Sequence, residues 1–339
     1  MGDRPLGCGR ETAQMRVLVT GGNRYIGLSL VHELATRGHE VSVFNSHEAA
    51  LPEGVRRLHG DRRIPGALEE VLGPHRDEFD AVFDNTAYTV RDLEPMVELF
   101  GGRVGHFVFT SSSAVYRRSL VQPVTETFAT HDPADEAPAK AYGVGKVRSE
   151  RFLMAEHSAS GFPVTVLRVG HTIGPRSAAA TREPAFFARL EAGRPILIPG
   201  DGFPFVHLIH IDDVATLMAS VLGNRTAAGQ TYNVFGSEYA SLLNCVRIMA
   251  KVVGVEPRIV HVPMDVARSL PRPLVHWGEA TMGGAAFSIA KALADLDWTP
   301  RFGLESGYRD AYEWYAAGGR DRYEIDYSLD DEVLAALAT

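Results

Sequence analysis

The run Thr20 to Gly27, TGGNRYIG, follows directly on a β-branched stretch, Arg16 to Thr20, and opens a helical pattern over Ile26 to Arg37. A strand that turns into a helix within so few residues needs positions without a Cβ, and Gly21 and Gly22 supply them. Gly27 lets the helix approach the strand closely. The helix that follows aims its unsatisfied N–H groups and the positive end of its dipole over the turn. Such a cradle receives a pyrophosphate, although a glycine-rich turn with no ligand has the same local pattern. Alternation of strand and helix continues from there. Strands are expected at Glu40 to Phe44, Val55 to His59, Ala81 to Asp84, His106 to Thr110 and Val164 to Val169. Helices are expected at Gly66 to Leu72, Leu93 to Phe100 and Ala139 to His157.

Near-continuous apolar strands separated by helices predict an α/β protein, a Rossmann-type doubly wound parallel sheet covered on both faces. After Gly174-Pro175 the alternation becomes irregular. A turn-rich stretch from Gly193 to Pro204 precedes an apolar strand, His207 to Ile211, and a helix starting near Asp213; Thr231 to Val234 reads as one more strand. The expected organisation is a dinucleotide-binding domain over 15–175, to which 205–235 returns, and a smaller, mostly helical substrate-binding lobe built from 176–204 and 236–330. Residues 1–14, polar and rich in Gly and Arg, are expected to be a disordered extension with no secretory signal.

The balance of 42 acidic against 34 basic side chains, a net charge of −8, opposes the surface needed to neutralise nucleic-acid phosphates. No apolar run is long enough to cross a bilayer, so no membrane partner is expected. Cys8 and Cys245 make no disulfide framework, and the 13 histidines do not have zinc-ligand spacing. A reducing cytoplasm fits this cysteine usage, and no metal is expected.

Chemistry enters with Tyr142 and Lys146. Four residues apart on an expected helix, they share a face. A phenol titrating near pH 10 is a poor base, and lowering it by roughly 3 takes about 4 kcal/mol, which an adjacent ammonium and a cationic nicotinamide can supply in a dry pocket. Ser111 to Ser113 precede the pair, directly after the strand at His106 to Thr110; a helix cap or loop cluster has the same composition.

Taken with the glycine turn, the pair and the serine run resemble the extended short-chain dehydrogenases/reductases, the family of nucleotide-sugar epimerases and dehydratases. The likeness runs from about Met15 to Tyr315 and takes in His210-Ile211-Asp212-Asp213-Val214-Ala215, Tyr232-Asn233-Val234 and Trp298-Thr299-Pro300. The family's turn usually reads TGxxGxxG, and here Arg24 replaces the middle glycine. TGGxRxIG, the ending Phe44-Asn45 and the VFDN of Val82 to Asn85 are similar to the branch that contains the chloroplast stem-loop-binding proteins. By this resemblance the catalytic serine lies four residues before Tyr116, which selects Ser112. Tyr142 then exchanges a proton with the substrate oxygen while Lys146 also holds the ribose. The cofactor line implied is Gly21, Gly22, Asn23, Arg24, Tyr25, Ile26, Gly27, Asn45, Ser46, Asp61, Arg62, Asn85, Thr86, Ala87, Val169 and Gly170, together with Tyr142 and Lys146. Asp61 resembles the adenine-contacting acid of the family, and a turn-forming aspartate looks the same. A homodimer through paired helices is also implied.

The acid that binds the adenosine ribose in NAD enzymes is replaced by Asn45, while Arg24 adds a cation to the adjoining turn. NAD(P) is therefore the expected cofactor, with NADP(H) favoured over NAD; a merely solvated Arg24 is the alternative. The Asp-Glu pair of the sugar dehydratases is Ser113-Ala114 here, which argues against dehydration. The arginine that grips a diphosphate is Val206, and the family's asparagine after Leu167-Arg168 is His171. Either the substrate is not a nucleotide sugar or it sits differently, held by arginines such as Arg176, Arg268 or Arg272; Ser113 and His171 are further expected contacts, with a hydrogen-bonded structural histidine as the alternative for His171. The expected function is an oxidoreductase transferring hydride at a secondary alcohol or ketone of a small molecule, as ketoreductase, dehydrogenase or epimerase. A non-catalytic nucleotide- or RNA-binding protein on the same fold is the alternative.

Overall fold

Val17, Leu18 and Val19 are wholly buried because their strand lies in the middle of a sheet with helices on both faces. The computed structural model describes residues 14–177, 179–274 and 284–338. Cys8 and nearly all of the expected extension at 1–14 lie outside the described residues, as do positions 178 and 275–283 of the expected lobe.

The strands are β1 Arg16–Thr20, β2 Glu40–Asn45, β3 Arg56–His59, β4 Ala81–Asp84, β5 His106–Ser112, β6 Val164–Val169, β7 His171–Ile173, β8 Ile196–Pro199, β9 Phe205–His210, β10 Gln230–Val234, β11 Tyr239–Ser241 and β12 Ile259–Val262. Seven of them form one parallel sheet in the order β10-β6-β5-β4-β1-β2-β3. Strand order reverses between β1 and β4, and a crevice opens there at the carboxyl ends.

The helices are α1 Tyr25–Thr36, α2 Ala67–Leu72, α3 Val90–Phe100, α4 Ala141–Ser160, α5 Glu183–Glu191, α6 Ile211–Ser220, α7 Leu242–Val253, α8 Met264–Ser269, α9 Ala290–Asp295, α10 Leu304–Ala316 and α11 Ser328–Leu337. Leu30, Val31 and Leu34 of α1 share one apolar layer with Val214 and Met218 of α6. Leu68 of α2, Leu93 and Met96 of α3 and Leu153 of α4 fill the other face. This is the doubly wound arrangement expected from the alternation. Thr89 and Asp92 close a capping box at the start of α3, which sets where that helix begins.

Two details of the return differ from expectation. Residues 205–210 do not join the large sheet: β9 pairs with β7 and β11 in a small sheet of its own, while β8 pairs with β12. The returning strand is β10, and α6 accompanies it. The stretch from α9 to Trp298, placed in the lobe by sequence, packs against the nucleotide-side core instead. Its indole N–H donates to the Asp213 carbonyl at 3.2 Å and to Thr216 Oγ1 at 3.1 Å, so a large ring is buried with its polar atom satisfied. The lobe has a separate core, in which α5, α7 and α10 enclose Phe187, Val246 and Tyr308.

Candidate active site

Strand β5 ends two residues later than its apolar run, and those residues are Ser111 and Ser112. Ser111 turns inward and donates to Glu150 Oε1 at 2.5 Å. Glu150 holds Arg168 in a buried ion pair at 2.7 Å, and Arg168 also donates to the Tyr116 hydroxyl at 2.9 Å. Ser112 faces the crevice, and its Oγ accepts the Ala114 N–H at 3.2 Å. Ser113 starts the 3-10 turn that follows.

Helix α4 brings the phenol to this serine. Its Gly143 lies so close to the turn that a Cβ would sit 2.1 Å from the Ala114 carbonyl oxygen. Tyr142 is therefore held beside Ser112, in the first turn of α4. Lys146, one turn on, is buried, and its Nζ donates to the carbonyls of Ala87 and Thr110 at 2.7 Å each. The ammonium also lies 5.1 Å from the Tyr88 ring centre and 4.7 Å from that of Phe109. Burial pushes Lys146 down to about 8.

Lys146 is not the acidifying neighbour of Tyr142 that the sequence argument took it to be. Half of the Tyr142 surface is open, at 50%. Desolvation raises its pKa, the Ser112 contact pulls it back and neighbouring Tyr88 raises it further, for a net upward shift. Lys146 does not make the phenol acidic in this arrangement, because its ammonium is turned to two carbonyls.

The glycine turn has the required close approaches. Gly21 has φ +75, and a Cβ there would lie 2.3 Å from the Thr86 methyl; a Cβ on Gly27 would lie 2.0 Å from the Gly21 carbonyl oxygen. Gly22 is enclosed by Val31 and Val43. Gly27→Ala forces backbone apart, and overpacking of this kind costs about 1–3 kcal/mol. We expect a lower denaturation midpoint and at least about tenfold weaker nucleotide binding, read by denaturant melts and by quenching of tryptophan fluorescence. An unchanged midpoint would show that the turn opens freely.

Other cofactor-line residues divide into those that face the cleft and those that do not. Asn45 is buried at the end of β2 with neither side-chain polar atom partnered, and Asn85 Nδ2 is likewise unpartnered. Arg24 is exposed at the N-cap of α1. Ile26, Val169 and Gly170 line the cleft, as does Tyr25, whose hydroxyl donates to the Thr172 carbonyl at 3.0 Å. Asn23 donates to the His47 carbonyl, and Ser46 Oγ lies 3.0 Å from His47 Nδ1.

Arg62 turns away from the crevice. Its guanidinium is buried on Asp84, with N–O distances of 2.8 and 3.0 Å, and also donates to Thr86 Oγ1 and the Asp92 carbonyl. Thr86 and Ala87 act as supports: their N–H groups bind Asp84, and the Ala87 carbonyl holds Lys146. Asp61 is clamped by Arg63, which holds its pKa down at about 2.

The cleft, of about 560 Å³, lies between Tyr25, Asn85, Val169 and the Ser112/Tyr142/Lys146 group. Ser112, Ser113, Tyr142, Lys146 and His171 all line it, but Arg176 does not. Arg176 has φ +60 and a buried, unpartnered Nε, and among the described residues the arginine that lines the cleft is Arg182, 6.0 Å from the Tyr25 ring centre. Arg272 lines a different cavity, and Arg268 lines neither. Tyr88 and Arg182 were missed from sequence. Each lies in a connection, where no periodicity signals its direction; the position of Arg182 just before Glu183-Pro184, as the N-cap of α5, was the available signal.

Among the described residues, His210, Asp212 and Asp310 come within metal-ligand distance of one another. Both ring nitrogens of His210 are in use, one accepting the Asp212 N–H and the other donating to Asp310 at 3.0 Å. The cluster is a closed hydrogen-bond unit, stacked on Phe302.

Residues 17–234 match the model of the NAD-dependent epimerase/dehydratase family. The chain is 28% identical to the chloroplast stem-loop binding protein of 41 kDa b from Arabidopsis thaliana, over 96% of this chain and 85% of that protein. It is 30% identical to 2'-dehydrokanamycin reductase from Streptomyces kanamyceticus, over 66% of this chain and 62% of that one. The fold is similar to that of UDP-glucuronic acid 4-epimerase from Bacillus cereus, solved in complex with NAD, with a TM-score of 0.73 at 20% identity over 91% of this chain and 99% of that one. The family match covers every strand of the seven-stranded sheet, the glycine turn and the Ser112/Tyr142/Lys146 cleft. This protein belongs to the NAD-dependent epimerase/dehydratase family of extended short-chain dehydrogenases/reductases, an enzyme family.

Proposed function

We propose that the protein is an NAD(P)-dependent oxidoreductase acting at a secondary alcohol or ketone of a small molecule, as a ketoreductase, dehydrogenase or epimerase. The observation that carries this reading is the convergence of Ser112, Tyr142 and Lys146 on one cleft beside the glycine turn. The residues fit a dinucleotide: Gly21 and Gly27 leave no room for a Cβ, and Asn45 and Asn85 offer buried amide atoms with no protein partner. When bound, the cofactor supplies or accepts the hydride. The N–H groups opening α1 hold its pyrophosphate. Asn45 is a neutral partner for the adenosine ribose and, with Arg24 exposed nearby, admits a 2′-phosphate; this supports NADP(H). Ser112 orients the substrate oxygen and Tyr142 moves a proton to or from it. Lys146 presents a cation held in place by two carbonyls.

The test is titration with NADPH and NADH, followed by turnover with UDP-sugars, simple sugars and cyclic ketones. If neither nucleotide binds, the reading fails. Cofactor retained through purification supports epimerisation, since a reductase must exchange it each cycle. Lys146 gives a pH signature. Its folded pKa of about 8 lies below that of a free lysine, so its charge disappears as pH rises through about 8. Nucleotide affinity is expected to fall across that range, and Lys146→Met to remove the inflection. The linked stability runs the other way. Above the folded value the unfolded chain binds more protons, so this group's contribution rises with pH until the unfolded lysine also deprotonates.

The stem-loop binding relative supports a second reading, RNA binding on the same fold. The net charge of −8 opposes it. Salt-sensitive retention of a stem-loop RNA would favour it. We also propose a cytoplasmic homodimer, which light scattering and cell fractionation can check.

A further inference from the structure

A second cavity, also of about 560 Å³, lies beside the cleft. The turn 179–182 separates them: Ala179 and Arg182 line the cleft, and Ala180 and Thr181 line the neighbour. Its apolar walls are Phe186 of α5, Ile196 and Leu197 of β8, Leu274 and Ile325. Among the described residues, only that turn lies between this cavity and the cleft that holds Tyr142.

The charge in this cavity is unsuited to phosphate. Among the described residues its lining holds two cations, Arg189 and Arg272, against three carboxylates, Glu324, Asp326 and Asp330. Both arginines are already paired, Arg189 with Asp330 at 2.6 Å and Arg272 with Asp326 at 2.7 Å. The first pair is buried, with side chains 12% and 7% exposed, and its guanidinium also donates to the Ala185 carbonyl. Drawing Arg189 onto a ligand would leave Asp330 buried and unpaired, which is costly. Glu324 remains as an additional negative charge. The acidic wall is part of the fold. Leu329 and Val333 of α11 pack on Leu197 and Val262, and Arg194 pairs with Asp331. In β9, the position where the family resemblance expects a diphosphate-gripping arginine holds buried Val206.

We infer that the segment 324–330 sets specificity by neutralising the arginines of this cavity, so that the substrate portion held there carries no phosphate and is neutral or amine-bearing. The inference rests on the proposed oxidoreductase site, because it assigns the outer half of the same substrate. It separates this protein from enzymes that recognise a nucleoside diphosphate through free arginines.

Calorimetric titration of the full chain with UDP and with kanamycin, a sugar bearing several amines, tests it. Glu324 and Asp326 are exposed, so Glu324→Gln/Asp326→Asn should leave the fold intact. The expected result is no saturable UDP binding by the wild type, kanamycin binding that weakens at high salt, and a double variant that loses kanamycin affinity about tenfold and binds UDP saturably. Micromolar UDP binding by the wild type, lost in Arg272→Ala, overturns the inference; so does a double variant unchanged toward both probes. NADPH and NADH affinities, read separately in the same samples, report on the cleft. Absence of both NADPH and NADH affinity rejects the oxidoreductase reading, while binding of either alongside tight UDP binding rejects the specificity assignment alone.

Discussion

Tyr142→Phe should bind nucleotide as the wild type does and turn over about 10² to 10⁴ times more slowly, the usual contribution of a positioned general acid or base. The substitution is clean because the ring is half exposed and the lost hydroxyl contacts Ser112 without supporting the core. Its direction of titration adds a second readout. With the phenol pushed above its ordinary value by burial, the hydroxyl stays protonated across the neutral range and is set to donate, as reduction of a ketone requires. Oxidation of the alcohol should then accelerate as pH rises, while reduction does not. Stopped-flow absorbance of the reduced nucleotide measures both directions. Full activity in Tyr142→Phe would remove Tyr142 from the chemistry.

The largest expected loss of stability is Asp84→Ala, at about 3–5 kcal/mol, the range for breaking a buried ion pair from one side. Asp84 lies at the end of β4 with no exposed side-chain surface, accepting Arg62, the Thr20 hydroxyl and the N–H groups of Thr86 and Ala87. Removing it leaves Arg62 charged and enclosed and two N–H groups without partners. Guanidinium chloride melts report the size, and a double variant, Arg62→Met/Asp84→Leu, should recover much of the loss. A single variant within about 1 kcal/mol of wild type would show that water reaches Arg62 and solvates it. Burial works against the Asp84 charge, but the Arg62 charge and hydrogen bonds outweigh it, so the folded pKa is depressed. The pair's contribution is then fully present above the unfolded value near about 3.9 and is lost as pH falls through the folded one. Asp84 also helps to keep Lys146 protonated. Its loss should move the Lys146 inflection further below about 8.

Arg62 illustrates what a motif leaves open. Read in sequence, Gly60-Asp61-Arg62 follows β3 and suggests a cofactor contact. In the fold the guanidinium crosses to β4, because Asp84 is a wholly buried carboxylate and needs a cation. Arg176 and Arg182 make the same point. Both lie in one irregular connection, where no period assigns a face, and only the packing of α5 brings Arg182 into the cleft. The reading of Tyr142 relied on proximity to Lys146 along a helix, but two carbonyls from β5 and the β4 connection had a stronger claim on that ammonium.

From sequence alone came the alternation of strand and helix, the glycine turn and the placing of Tyr142 and Lys146 on one helix face, since each depends on local periodicity, on φ angles open only to glycine or on i,i+4 spacing; Ser112 was picked out by the family resemblance. The tertiary structure alone decided which charges neutralise one another, that β10 and not β9 returns to the sheet, and that Asp330 of α11 and Asp326 just before it meet the arginines of the second cavity. Those outcomes depend on contacts between residues far apart in the chain, where desolvation and the nearest opposite charge, rather than spacing, determine the arrangement.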